Sequence, residues 1–151
     1  MQKEITEMSN FLDDKGHVIN PGWASKELFN YEREKIKKSK CRIKEWDYWE
    51  VFNPNYRTIL NIFDIGYAGV ASFMFHDFQT NKRTNVTLLK LCTRGSVGMP
   101  KSWNYQKPLL FKKGKDFMEF DKDGDDIILK ANFPKKGIEA NIRLSIKKDS
   151  D

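Results

Sequence analysis

Apolar and polar residues alternate most regularly near the C-terminal end of the chain. From 138 to 146 every second residue is apolar, and the residues between them are polar. A weaker alternation runs from 127 to 133, and Pro134-Lys135-Lys136-Gly137 separates the two runs. A period of two places successive side chains on opposite faces of a strand. One apolar and one polar face is typical of antiparallel sheets, so we expect two such strands here.

Six shorter runs rich in β-branched and aromatic residues precede this pair, and turn residues such as Asn53-Pro54-Asn55 separate them. About eight short strands with turns between them indicate an antiparallel barrel or sandwich. We therefore predict an all-β fold, a barrel or half-barrel. The six runs cover 46–52, 57–64, 69–78, 84–91, 109–112 and 117–120.

The first 45 residues lack this strand pattern. Turn residues occur at 13–16 and 20–22, and Ser25 is placed to cap a short helix that would end near Asn30. A second helical turn is predicted within 31–39. For a single domain of 151 residues we expect turns and a short helix over 1–45 packed on a barrel over 46–147, and a frayed tail over 148–151.

Composition and charge narrow the class of protein. With 39% hydrophobic and 13% aromatic residues, the chain is expected to fold. The first ten residues have no apolar core of a secretory signal, and two cysteines are too few for a disulfide framework, so we expect a cytosolic protein without a transmembrane segment.

The net charge of +6 is concentrated in residues 26–44, which contain eight basic and three acidic residues. Such a segment suits nucleic acid, an anionic membrane or an acidic partner, but it is more often a solvated surface. Nucleic acid is disfavoured because the chain has no readout motif.

Sequence motifs for cofactors and metals are missing. The chain contains neither a phosphate-binding glycine loop nor a nucleophile elbow. The acidic run from Asp121 to Asp126 resembles a calcium loop, but its sixth position is Asp126 where Gly is needed, and its twelfth is Asn132 where Glu is needed. A hairpin turn at Gly124 explains this run better, and we predict no cofactor and no metal.

The densest polar and aromatic cluster runs from Arg42 to Trp49. In a strand, Arg42, Trp46 and Tyr48 share one face, and Glu45 and Asp47 share the other. One interpretation is a ligand pocket with Trp46 and Tyr48 in its wall and Arg42 holding a polar end. The alternative is that both aromatic residues pack in the core while the charges pair outside.

Several blocks of the sequence, above all the run from Arg42 to Tyr48, resemble the DUF2804 family of uncharacterised proteins. The similarity extends from about Phe11 to the C-terminus. The blocks are Phe11-Leu12-Asp13-Asp14-Lys15-Gly16, Asn20-Pro21-Gly22-Trp23-Ala24, Leu28-Phe29-Asn30-Tyr31, Arg42-Ile43-Lys44-Glu45-Trp46-Asp47-Tyr48 and Asp64-Ile65-Gly66-Tyr67-Ala68-Gly69.

The resemblance implies a lipocalin-like antiparallel barrel, distantly similar to the two-lobed carotenoid hydratases and tocopherol cyclases that handle isoprenoid lipids. Family members usually carry a second barrel-like half. The resemblance therefore implies that this chain corresponds to the first half, either as a fragment or as a short variant that works alone, as a homodimer or with another chain. The family supplies no established catalytic residues.

Three functional hypotheses follow. The first is binding of an apolar small molecule or lipid in an aromatic-lined cavity. The second is acid-catalysed hydration, cyclisation or isomerisation of a lipid, with a proton donor of displaced pKa inside the cavity. The third is an interaction module in which the basic segment 35–44 contacts an acidic partner or nucleic acid. Candidate wall residues are Arg42, Trp46, Tyr48, Tyr67, Phe73 and Phe75, and candidate proton donors are His76, Asp47 and Glu45.

His76 is a conditional candidate. If Val70 and Met74 face the core, His76 shares that face, where a histidine is more often hydrogen-bonded than catalytic.

Overall fold

The computed structural model describes residues 3–26, 28–101 and 105–145. The chain divides into two compact units. The smaller unit contains the described residues from 3 to 39 with Lys101, and the larger contains those from 40 to 100 and from 105 to 145.

The smaller unit is built from turns and two very short strands. Strands β1 (Ser9–Asn10) and β2 (Phe29–Asn30) pair in parallel. The ring of Phe11 packs edge-on against Phe29, with ring centroids 5.3 Å apart. The predicted turn after residue 13 is confirmed, because the Asp13 carboxylate accepts hydrogen bonds from the backbone N–H groups of Lys15 and His17.

The helix predicted over 25–30 is wrong. Phe29 and Asn30 form strand β2 instead, because the backbone of this segment pairs with β1. Residue 27 lies outside the described residues. A single 3-10 turn at Arg33–Lys35 is the helical structure found within 31–39.

The larger unit begins with a four-stranded antiparallel sheet, here called the first sheet. Its strands follow one another in space as they do in sequence. The predicted turn at Asn53 is present, since the Asn53 side chain accepts from the backbone N–H groups of Asn55 and Tyr56. The strands are β3 (Glu45–Phe52), β4 (Tyr56–Asp64), β5 (Ala68–Asp77) and β6 (Lys82–Leu91).

A second four-stranded antiparallel sheet, the second sheet, has the same meander order. Gly124 has a φ of +62° in the two-residue loop after β8, so the acidic run forms the predicted hairpin turn. The predicted turn over 134–137 is also present, as a 3-10 turn ending at Gly137. The strands are β7 (Leu109–Lys113), β8 (Asp116–Asp123), β9 (Asp126–Phe133) and β10 (Ile138–Ser145).

The two sheets share one hydrophobic core. Each strand alternates between an inner face, which contributes to this core, and an outer face. Burial of apolar side chains between sheets is the main stabilising term for such an arrangement. Large core residues come from both sheets: Leu60, Ile62, Phe73, Phe111, Met118, Phe120, Ile127, Leu129 and Phe133.

The all-β antiparallel class is confirmed, and all eight predicted strands exist. Within the described ranges, strand pairing stays inside each sheet, so the sheets do not close into a barrel. The open arrangement is compatible with a half-barrel or a sandwich. Residues 146 and 147, where the barrel was expected to end, and the tail over 148–151 lie outside the described residues.

Candidate ligand-binding cleft

One wall of a cleft in the larger unit comes from the inner face of the first sheet. Thr58 on β4 lies opposite Phe75 on β5, which in turn lies opposite Thr84 on β6. Phe73 faces the same side two residues earlier, and Tyr56 adds a third aromatic ring at the start of β4. The strand period of two explains why Phe73 and Phe75 share this face.

The opposite wall comes from β10. Its alternating residues Ile138, Ala140 and Ile142 point into the cleft and are only partly buried. Gly137 and Glu139 complete the lining. Strand β10 is an edge strand that pairs with β9 alone among the described strands, so no neighbouring strand covers its other side.

The cleft has a volume of about 400 Å³. That size suits a single small ligand, and pockets for such ligands are mostly apolar with a few polar groups. The rings of Tyr56 and Phe75 lie 5.6 Å apart. The Thr58 hydroxyl donates to the Met74 carbonyl at 3.0 Å, which satisfies this buried donor within the protein. The cleft is therefore suited to an apolar molecule.

A polar network lies elsewhere on the inner face of the first sheet. The Tyr105 hydroxyl donates a short hydrogen bond to the Asp47 carboxylate. The Trp49 indole N–H donates to the same Tyr105 oxygen at 3.1 Å. Tyr105 is only 7% exposed, so the three side chains form a largely desolvated chain of hydrogen bonds.

Burial sets the protonation behaviour of this network. Desolvation raises the pKa of Asp47 above its ordinary value, although the hydrogen bonds from Tyr105 and Trp49 act in the opposite direction. Desolvation, and then the adjacent Asp47 carboxylate, also raise the pKa of Tyr105. Asp47 therefore holds a proton more readily than an exposed aspartate does.

The network does not line the cleft. Asp47 lies opposite Ile62 on β4, and Trp49 lies opposite Leu60, whose partner on β5 is the cleft residue Phe73. Asp47 is thus separated from the Thr58 row by the row of Trp49.

Four of the six predicted wall residues lie on the surface. Trp46 is 67% exposed, Tyr48 is 46% exposed and Tyr67 is 62% exposed. Arg42 is exposed as well. As expected, Trp46 and Tyr48 lie on the opposite face of β3 from Asp47. The face that points inward, however, is the one with Asp47, not the one with Trp46 and Tyr48.

The other two predicted wall residues, Phe73 and Phe75, meet in the cleft. Of the predicted proton donors, Glu45 and Asp47 lie on the inner face of β3. His76 lies on the opposite face of β5 from Phe73 and Phe75, and its Nε2 is 3.0 Å from the Asn81 side-chain oxygen. His76 was expected to face the core only if Val70 and Met74 did. Both of these residues lie on the outer face of β5 with His76, so His76 does not face the core.

Sequence reasoning missed Tyr105 and the contribution of β10. Tyr105 follows residues with no strand pattern, so nothing in the sequence placed it beside Asp47. The alternation in β10 identified which of its residues are apolar and inward-facing, but not which strands lie opposite. The lining residues missed in this way are Tyr56, Thr58, Thr84, Gly137, Ile138, Glu139, Ala140 and Ile142.

The described residues contain no cluster of three or more histidine, cysteine, aspartate or glutamate side chains placed to hold a metal ion. Within those same ranges, no helix has the length and apolar character needed to cross a membrane. Cys41 and Cys92 are both free thiols on the surface.

Comparison with known proteins gives one match. The model of a family described as a domain of unknown function (DUF2804) matches residues 2–151. No curated protein and no solved structure matches the chain.

Proposed function

Because the chain belongs to the DUF2804 family, a domain of unknown function, we propose a function from its cleft: the chain binds one apolar small molecule or lipid between β10 and the first sheet. A single observation carries the proposal, the cleft of about 400 Å³ with Phe73 and Phe75 on one wall and the aliphatic side chains of β10 on the other.

The physical reason is incomplete burial. Phe75 and Ile142 pack against the core but remain partly exposed along the cleft. A ligand that covers them removes apolar surface from water, which contributes roughly 25 cal/mol for each Å². The hydroxyl groups of the lining residues Tyr56 and Thr84 are available to orient one end of the ligand.

The test is a fluorescence titration with N-phenyl-1-naphthylamine, followed by its displacement with dodecanoate. The native chain is expected to bind the probe with micromolar or better affinity and to release it when the fatty acid is added. Ala140→Trp places an indole in the cleft and is expected to abolish binding.

Asn141→Trp is the matched control, because the neighbouring residue of the same strand points to the opposite face. Near-native binding by this control, with a circular dichroism spectrum unchanged in both variants, supports the cleft. Equal probe binding by the two tryptophan variants would contradict it.

A second candidate function, acid catalysis on an unsaturated lipid, is favoured by the position of Asp47, a partly buried carboxyl one row from the row of the cleft residue Phe73, together with its raised pKa. In such a reaction the Asp47 carboxyl would deliver its proton to one carbon of a double bond, and the resulting carbocation would return a proton from a neighbouring carbon to the Asp47 carboxylate, which shifts the double bond. Incubation of farnesol with the chain in D₂O, followed by mass spectrometry, tests this. Carbon-bound deuterium that disappears in Asp47→Asn supports acid catalysis, and no incorporation by the native chain argues against it.

A further inference from the structure

Three loop segments meet at one end of the first sheet, namely residues 40–44, 65–67 and 92–95, here called the loop end. The Lys44 ammonium donates to the carbonyls of Cys41 and Ile65. The backbone N–H of Cys92 donates to the Tyr67 carbonyl at 2.7 Å. These bonds hold the three segments together.

A glycine allows this close approach. Gly66 has a φ of +83°, and a Cβ placed on it would lie 2.5 Å from the Cα of Cys41. The backbone N–H of Arg94 donates to the Gly66 carbonyl at 2.6 Å. The loop end is therefore a packed structure, in which the backbones of the three segments are held against one another.

The charge of the loop end is entirely positive. Its segments contribute Lys40, Arg42, Lys44 and Arg94, all of them exposed, and contain no acidic residue. Of the two acidic residues that directly flank these segments, Glu45 lies on the inner face of β3, and the carboxylate of Asp64, just before Ile65, is 2% exposed. It accepts hydrogen bonds from Gly66 N–H and the Thr93 hydroxyl, so it is directed inward.

Large apolar side chains project from the same end. Tyr67 is 62% exposed and Leu91 is 72% exposed. The Lys44 ammonium lies 4.4 Å from the centroid of the Tyr67 ring, so cation and ring form one surface. On the outer face, Trp46 begins a row that crosses all four strands and contains no polar residue: Trp46, Phe63, Val70 and Leu89.

We propose that the loop end and this row bind the surface of an anionic phospholipid bilayer. Exposed aromatic and aliphatic side chains beside lysine and arginine match the two layers of such a surface. The lysine and arginine side chains contact the phosphate headgroups, while the apolar side chains enter the interface below them. Trp and Tyr are the side chains most enriched at that depth.

Nucleic acid offers the same phosphate charge but no partner for Leu91 or for the aliphatic members of the row. The bilayer therefore accounts for both the charge and the apolar surface. This proposal does not require the cleft to be occupied.

The test is co-sedimentation with sonicated vesicles of phosphatidylcholine, alone or mixed with an equal part of phosphatidylglycerol. We expect binding to the anionic vesicles only, and weaker binding at higher salt. Lys40→Glu with Arg42→Glu is expected to lower the partition coefficient by more than about tenfold, because each cation near an anionic membrane contributes roughly fivefold.

The charge-matched control is Lys135→Glu with Lys136→Glu, in the exposed turn before β10, which is expected to retain most of the binding. The apolar contribution is measured by comparing the vesicle binding of Leu91→Ser with that of Leu110→Ser, a substitution on the outer face of the second sheet. Thermal unfolding shows whether each variant is folded.

Equal binding to neutral and anionic vesicles, or equal losses for the two charge-reversal variants, would overturn the proposal. Binding of poly(U) RNA by a chain that does not sediment with anionic vesicles would also overturn it and would assign the basic surface to nucleic acid.

Discussion

The two four-stranded sheets are built alike, yet their outer faces differ. On the second sheet, charged partners cross the strands: Lys130 lies 2.8 Å from the Glu119 carboxylate, and Arg143 pairs with both Asp123 and Asp126. The outer face of the first sheet also has an ion pair, between Arg57 and Glu50, but it exposes large apolar side chains in addition, with Trp46 at 67% and Phe52 at 73%.

This difference between the outer faces distinguishes a surface needed only for folding, on the second sheet, from a surface available for binding, on the first. A sheet with one buried face needs mostly polar residues on the other, and the outer face of the second sheet has one large exposed apolar side chain among the described residues, Leu110. Large exposed apolar patches on soluble proteins commonly mark interaction sites. The loop end and its apolar row belong to this outer side of the first sheet, whereas the cleft lies on the inner side, between the first sheet and β10 of the second.

The largest effects are expected where the sheets are equivalent, on their inner faces. Leu60→Ala in the first sheet and Leu129→Ala in the second should each lower the free energy of unfolding by about 2–5 kcal/mol, because both side chains are fully buried. Urea denaturation measures this. Leu89→Ala and Leu110→Ala, on the two outer faces, serve as controls and should cost far less. A large loss in one sheet only would show that the core is not shared.

A smaller loss is expected from Tyr105→Phe. The change removes the donor to Asp47 and the hydroxyl oxygen that accepts from the Trp49 indole N–H, at a cost of about 1–3 kcal/mol. Chemical denaturation is the measurement. Tyr67→Phe is the control, since that ring is exposed, and equal stability of the two variants would argue that the network contributes nothing.

The pH dependence of stability should have opposite signs for Asp47, on the inner face of the first sheet, and Asp126, on the outer face of the second. Burial raises the pKa of Asp47, so its contribution to stability is present below its unfolded value near 3.8 and is lost as pH rises through the higher folded value. Arg143 lowers the pKa of Asp126, so that contribution is present above its unfolded value and is lost as pH falls.

Urea unfolding across this acidic range, with Asp47→Asn and Asp126→Asn, compares the two groups. Relative to the native chain, Asp47→Asn should become more stable as pH rises and Asp126→Asn less stable. The same trend in both variants would show that the two carboxyl groups are not in opposite environments.

The smallest effect on stability is expected on the outer face of the first sheet. Trp46→Thr should change the free energy of unfolding by no more than about 0.5 kcal/mol, because surface substitutions away from packed features are nearly neutral. Retention on a hydrophobic column should nevertheless fall. A clear loss of stability would mean that Trp46 is a structural residue.

The sequence predicted the strands well because their alternation is a local property. Ile138 and Ile142 on β10 identified a buried face, and Gly124 and Gly137 marked the turns between strands. The site was predicted less completely. Phe73 and Phe75 were recognised, but the sequence did not show which face of β3 lies inside. On that face Asp47 and Trp49 hydrogen-bond to Tyr105, a residue remote in sequence.

A nuclear magnetic resonance titration of the ¹⁵N-labelled chain with dodecanoate tests ligand binding in the cleft most directly. If the ligand binds in the cleft, we expect chemical-shift changes concentrated at Thr58, Phe75, Thr84 and Ala140, with the resonances of Lys130 and Glu119 unchanged. Changes centred on the outer face of the second sheet, or no saturable change at the cleft, would contradict ligand binding between β10 and the first sheet.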